Sequence, residues 1–336
     1  ATEQPQVNLY IWGEYMATDT LSSFEEKTGI KVVVDHFDSM ETVDTKLMTG
    51  HSGYDLVLTS GQHLSRAISS GALQPLDKSR LPHFAQLDPW ALQHMSGFDE
   101  GNRYAGIYMW GTTGFGYQQQ AIEQRMADAP VDSWAMLLDP QVVARFADCG
   151  VSLLNDPNEV FAAAFNYLGL DINKQNLDDL KLAEAHLAKV RPHIRYFDND
   201  RNIADLANGD TCLAMSWNGN VALAASQAHA AGKPYSVTYQ IPREGTLLWF
   251  DAVVIPRDAP HPEAALALLD HLSTPEVIAG VTNTVYYANA VPAANPLVDP
   301  AILNDPGTYP PASVQQNLYV KNDNSRVFDR ALTRAF

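Results

Sequence analysis

Three stretches of the chain join aromatic rings to acids or amides at similar spacing: Trp12-Gly13-Glu14-Tyr15, Trp217-Asn218-Gly219-Asn220 and Trp249-Phe250-Asp251. Each follows a short apolar run that reads as a β-strand. If the strand ends converge, they form a cleft walled by indole rings and studded with carboxylates. Such a cleft suits an elongated organic cation. Rings pack on its methylene chain and offer π-faces to its charge, while carboxylates accept its N–H donors. Tryptophans at strand ends also serve as core anchors. Three together, two with a nearby acid, favour a site.

Asp156 and Glu159 lie three apart at an expected helix start and share a face. Such a pair can do acid–base work, cap the helix and favour its dipole, or clamp an ammonium. Other catalytic signals are absent. Tyr54 breaks the nucleophile-elbow pattern of Gly50-His51-Ser52-Gly53. The ten histidines show no HExxH and no paired-ligand spacing, so no metal site is expected. His36, His51, His63, His83 and His261 stand in polar or loop contexts and are expected to be solvated. No GxGxxG follows a strand and there is no Walker loop, so no cofactor is expected.

The elements that must position these residues read as strands alternating with helices. Strands are expected over 7–12, 30–34 and 54–58, with helices over about 20–28 and 41–48 and from Ser60-Gly61 onward. Asp19 is expected to cap the first helix and Gly29 to end it. This alternation implies a mostly parallel sheet, with ligands beyond the carboxyl ends of its strands, where Trp12 and Ser60 lie. A Gly-rich strand over 104–117 is a candidate crossover between domains. A second series follows, with strands over 151–154 and 212–217. Asp156-Pro157 starts a helix there, with Asp as cap and Pro in the first turn. A strand over 247–255 is expected to cross back.

A length of 336 residues suggests about two domains. No apolar run reaches membrane-spanning length. The net charge of −17 disfavours nucleic acid and favours cationic ligands. Cys149 and Cys212 could be free thiols or one disulfide, the latter in an oxidising compartment. The chain starts without a signal peptide, as a mature secreted or a cytosolic protein would.

The chain resembles the periplasmic polyamine-binding proteins of bacterial ABC transporters, the putrescine and spermidine receptors. The resemblance runs through Trp12-Gly13-Glu14-Tyr15, Thr28-Gly29-Ile30-Lys31-Val32, Leu76-Asp77-Lys78-Ser79 and Met109-Trp110-Gly111-Thr112. It continues through Ala129-Pro130-Val131-Asp132-Ser133-Trp134, Cys149-Gly150-Val151-Ser152, Asp205-Leu206-Ala207-Asn208-Gly209-Asp210 and Asn304-Asp305-Pro306-Gly307. It implies an α/β type II periplasmic-binding fold of two lobes, joined by crossover strands, closing on a polyamine held between them. The expected lobes are 1–110 with 249–300, and 111–248 with 301–336. It further implies a non-catalytic, monomeric receptor in the periplasm, its signal peptide removed, that delivers its ligand to an inner-membrane ABC permease. It favours the Cys149–Cys212 disulfide.

The resemblance carries a ligand set of Trp12, Glu14, Tyr15, Ser60, Asp156, Glu159, Trp217, Asn220, Trp249, Asp251 and Tyr287. Asp251 matches the central ammonium-binding acid. Glu14, Asp156 and Trp249 match the spermidine type, and Asn220 stands where putrescine types carry an Asp. Gly13 and Gln62 match neither type. Lys321 would repel a cation if it pointed inward. The expected ligand is therefore spermidine, with putrescine, agmatine or an ω-amino acid such as 4-aminobutyrate as alternatives. An amine-processing enzyme using Asp156 and Glu159 is the remote alternative.

Overall fold

The computed structural model describes residues 4–336; the first three residues, which the expected first lobe includes, lie outside them. The strands are β1 Gln6–Trp12, β2 Lys31–Phe37, β3 Leu56–Ser60, β4 Ala105–Gln118, β5 Val151–Leu153, β6 Tyr196–Phe197, β7 Leu213–Trp217, β8 Val237–Gln240, β9 Thr246–Val254 and β10 Leu318–Tyr319. The chain forms two compact units. One runs to Trp110 and takes up Trp249–Asn304 as well; the other holds Gly111–Leu248 and Asp305–Phe336. β4 and β9 carry the chain from one unit to the other.

In the first unit, β1 pairs in parallel with β2 on one side and β3 on the other. Helices α1 Thr20–Thr28, α2 Met40–Thr49 and α3 Gly61–Ser69 follow β1, β2 and β3 in turn. The expected β-α-β order is therefore present, as crossover connections between parallel strands require. Gly29 ends α1 in the left-handed region, at φ 71°, where a side chain would be strained. Asp19 occupies the N-cap position of α1, but its side chain makes no capping hydrogen bond. Thr20 instead accepts from the Ala17 N–H through Oγ1, at 3.0 Å.

β9 joins the open edge of β3 antiparallel and sets Ser60 opposite Asp251. This register brings an acid from far along the chain to the carboxyl end of a parallel strand. Asp55, fully buried, ties β1 to the helix Pro262–Leu272. It accepts from the Asn8 amide and side chain at 2.8 and 3.0 Å, and from the His261 amide and ring at 2.6 and 2.9 Å. A buried carboxylate with this many donors is compensated for its lost hydration. His63 and His83 are likewise paired, with Asp44 and Asp270, each at 2.7 Å. Expected solvation therefore fails for His63 and His83, because their aspartate partners are distant in sequence; His261 pairs with Asp55, yet its side chain stays 39% exposed.

In the second unit, β7 pairs antiparallel with β4 and in parallel with β5, β6 pairs with β5, and β8 pairs with β4. A core of Phe115, Trp134, Phe146, Leu153, Val160 and Met215 fills one face. Phe161, Phe165 and Phe328 centre a second cluster. The Cys149–Cys212 disulfide, with Cα atoms 5.5 Å apart, ties the start of β5 to the start of β7. Trp217 ends β7 as expected. Trp249 sits within β9 rather than at its end, as the expected strand over 247–255 places it.

Candidate functional site

In the first unit the acid of interest is Asp251, only 8% exposed. The Tyr15 phenol donates to its Oδ2. Tyr15 is held in turn by Tyr108, whose hydroxyl donates to the Tyr15 carbonyl and whose ring meets the Tyr15 ring edge-on at 5.3 Å. Tyr287 packs edge-on against Tyr15 at 6.1 Å and against Trp249 at 5.1 Å. The Trp249 indole N–H is buried and has no hydrogen-bond partner among the described residues. Burial pushes the Asp251 carboxyl up to about 7, against the opposing pull of the Tyr15 hydrogen bond. Burial, and then the Asp251 charge, raise the Tyr15 phenol well above its ordinary range. The phenol therefore stays a donor.

The remaining first-unit candidates lie nearby in sequence but differ in setting. Trp12, half-buried, packs on Phe37 with ring centroids 4.5 Å apart. Ser60 ends β3, and its hydroxyl points at the Met40 sulfur at 3.6 Å. Glu14 is exposed, and its backbone is left-handed at φ 54°. That is an uncommon conformation for a residue other than glycine. Gln62 is half-buried, and its side-chain oxygen lacks a partner among the described residues.

In the second unit the site gathers at the start of the helix Pro157–Leu168. Asp156 is its N-cap and accepts from the Asn158 and Glu159 amides at 2.9 and 3.3 Å. The capping reading of Asp156 is thus correct, and it leaves room for a second role. Glu159 faces the sheet. Thr113 of β4 donates to its Oε2 at 2.8 Å, and the Trp217 indole donates to its Oε1 at 3.3 Å. Burial first, then the Asp156 charge, raise the Glu159 carboxyl; Thr113, Trp217 and Lys321 oppose the rise. Asn220 lies half-buried in the first turn of the helix Asn218–Ala230. Asn218 accepts from the Thr112 amide at 3.1 Å and fixes that helix start to β4.

The first unit therefore presents a buried carboxylate, Asp251, against a neutral phenol donor, and the second a half-buried one, Glu159, against neutral hydroxyl and indole donors. Asp251 is short of positive charge, and Glu159 has Lys321 as its cation. Among the described residues no set of His, Cys, Asp and Glu could hold a metal ion. An organic ammonium is the chemistry that fits, since it supplies both charge and N–H donors. Sequence reasoning missed Tyr108 and Thr113. Both lie in β4, every residue of which is buried, so no alternation marks which side chains face the acids.

A fold of two α/β units linked by two long strands, each unit carrying an aromatic-walled acid, defines a solute-binding protein. Residues 20–310 match the family described as bacterial extracellular solute-binding protein, and the chain belongs to that family. It is 43% identical to the putrescine-binding periplasmic protein PotF of Escherichia coli (strain K12), over 100% of this chain and 91% of the relative. It is 33% identical to the spermidine/putrescine-binding periplasmic protein of the same organism, over 96% and 88%. Among solved structures, a putative spermidine/putrescine ABC transporter protein from Listeria monocytogenes superposes with a TM-score of 0.84 at 28% identity, covering 98% of this chain and 97% of that one. The fold is thus the type II periplasmic-binding fold. The relatives are transport proteins rather than enzymes.

Proposed function

We propose that this protein is a periplasmic receptor for a small polyamine, putrescine before spermidine, which it delivers to an ABC permease. The observation that carries the reading is the buried Asp251, held by the Tyr15 phenol beside Tyr287, together with the half-buried Glu159, which accepts from Thr113 and the Trp217 indole. An ammonium group supplies the charge and the N–H donors that either carboxylate would accept. Trp249 and Tyr287 in the first unit, and Trp217 in the second, offer ring faces to such a cation and to its methylenes.

The order of ligands departs from the spermidine expectation. That expectation rests on Glu14, Asp156 and Trp249. Glu14 is exposed, and Asp156 is already engaged as a helix cap. Overall similarity also favours the diamine: the 43% and 41% identical relatives are named for putrescine, and the relative named for both amines is 33% identical. The test is a melting-temperature screen of the pure protein with putrescine, spermidine, agmatine and 4-aminobutyrate. Putrescine should raise the midpoint most. A shift with 4-aminobutyrate and none with any polyamine would overturn the reading.

A further inference from the structure

Lys321 is a buried lysine, 9% exposed, in an acidic protein, and the segment that carries it is pinned on both sides. Just before it, the Tyr319 hydroxyl donates to Asn166 Oδ1 at 2.8 Å, and Asn173 Nδ2 donates to the Val320 carbonyl at 2.9 Å. Just after it, the Asn322 amide donates to Asn173 at 2.9 Å, Gln175 donates to the Asp323 carbonyl at 2.9 Å, and the Ser325 amide donates to Gln175 at 2.7 Å. A lysine held on so fixed a backbone loses the freedom to swing its charge into water.

The ammonium itself donates to the Asn322 carbonyl at 3.0 Å and to Asn324 Oδ1. Asn324 in turn donates to Asn158 Oδ1 at 2.9 Å. Asn158 lies between Asp156 and Glu159 in the first turn of their helix. The chain's own cation is thus wired by one asparagine to the turn that carries the two acids. Burying an ammonium is costly unless charge of the opposite sign compensates it; Glu159, on which the Lys321 charge acts, and Asp329, which accepts from Asn324 at 3.1 Å, supply such charge.

Resting on the polyamine reading above, we infer that Lys321 is a specificity-determining residue: a resident ammonium that neutralises one charge of the Asp156–Glu159 pair and so limits the receptor to a diamine. In this unit Lys321 balances one charge of the Asp156–Glu159 pair, which leaves one for the ligand. Putrescine carries about two positive charges at neutral pH and spermidine about three, since alkyl amines titrate near ten as lysine does. The third ammonium of a triamine would meet Lys321 instead of a free acid.

The experiment measures putrescine and spermidine affinities by calorimetry for wild type, Lys321→Gln and Lys321→Arg. Wild type should prefer putrescine. Lys321→Gln should move the affinity ratio at least about tenfold toward spermidine, the size of change that removing one charge of a close pair produces. Lys321→Arg keeps the charge and should keep the ratio. An unchanged ratio in Lys321→Gln, or an equal shift in Lys321→Arg, overturns the inference while leaving the receptor reading intact. If Lys321→Gln fails to melt cooperatively, Asn324→Ala reports instead: it should shift the ratio the same way, and an unchanged ratio overturns the inference. Failure of wild type to bind either amine would sink the receptor reading itself.

Discussion

Asp251→Asn should weaken putrescine binding and, at the same time, stabilise the ligand-free protein at pH 8. Asn keeps the shape and can still accept from the Tyr15 hydroxyl, so the substitution removes charge and little else. The Asp251 carboxyl titrates at about 7 instead of 3.8. A rise of about three units corresponds to roughly 4 kcal/mol for ionising it in place, at 1.36 kcal/mol per unit. The sign follows from proton counting. Between the unfolded and folded titration points the folded state holds the extra proton, so stability falls as pH rises from about 4 to about 7. At pH 8 the whole cost is present, and the amide removes it. At pH 5 the carboxyl is protonated in the folded protein but already ionised in the unfolded chain, so the gap between the two proteins should shrink to roughly 1.6 kcal/mol, at 1.36 kcal/mol per unit.

Binding moves the other way. A desolvated ammonium that loses its charged partner costs about 2–5 kcal/mol, or roughly thirtyfold to several thousandfold in affinity. Calorimetry with putrescine and thermal melting at pH 5 and 8 read both halves. Unchanged affinity would remove Asp251 from the site. A melting point at pH 8 lower than wild type would refute the argument that Asp251 is a buried charge without a cation.

Wild-type affinity for putrescine should fall about fivefold between pH 7 and pH 6, because ligand binding requires the ionised form of Asp251; titrations across pH 6–8 check the slope, which Asp251→Asn should reduce. Asp156→Ala should cost about 1 kcal/mol of stability through the lost cap on the helix Pro157–Leu168, read by denaturant melts. It should also bring the Glu159 carboxyl back toward its ordinary range, since a neighbouring negative charge is gone, read by carboxyl NMR titration. Protein purified without reductant and then denatured should show no titratable thiol; reduction of the Cys149–Cys212 bond, which spans 63 residues, should cost on the order of 4 kcal/mol, and two free thiols would contradict the pairing.

Much of the fold is legible in the sequence because local physics decides it. Alternating apolar runs and Gly-ended helices mark β1 to α3, and the Asp156-Pro157 pair marks its helix by capping chemistry alone. Asp19 shows the limit of that rule: the same residue type in the same position makes no cap bond, since Thr20 takes over the turn. The tryptophan-and-acid stretches fall at β1, β7 and β9, and the structure links Asp251 to Tyr15, Tyr15 to Tyr287 and Tyr287 to Trp249.

What stays hidden depends on register between distant segments. Ser60 meets Asp251 only because β9 runs antiparallel to β3. Tyr108 and Thr113 sit in a strand buried along its whole length, which erases the period of two. Ligand preference was the least legible property. Residue types at Glu14 and Asp156 suggest added negative charge for a triamine, but exposure of the first, capping by the second and the buried Lys321 all reduce that charge.

The most direct test of the central claim is a calorimetric titration of putrescine into the ligand-free protein at pH 7.5, followed by spermidine and 4-aminobutyrate under the same conditions. One putrescine should bind per chain, more tightly than spermidine, with no binding of 4-aminobutyrate. Two independent putrescine sites, or binding of 4-aminobutyrate without either polyamine, would contradict that claim.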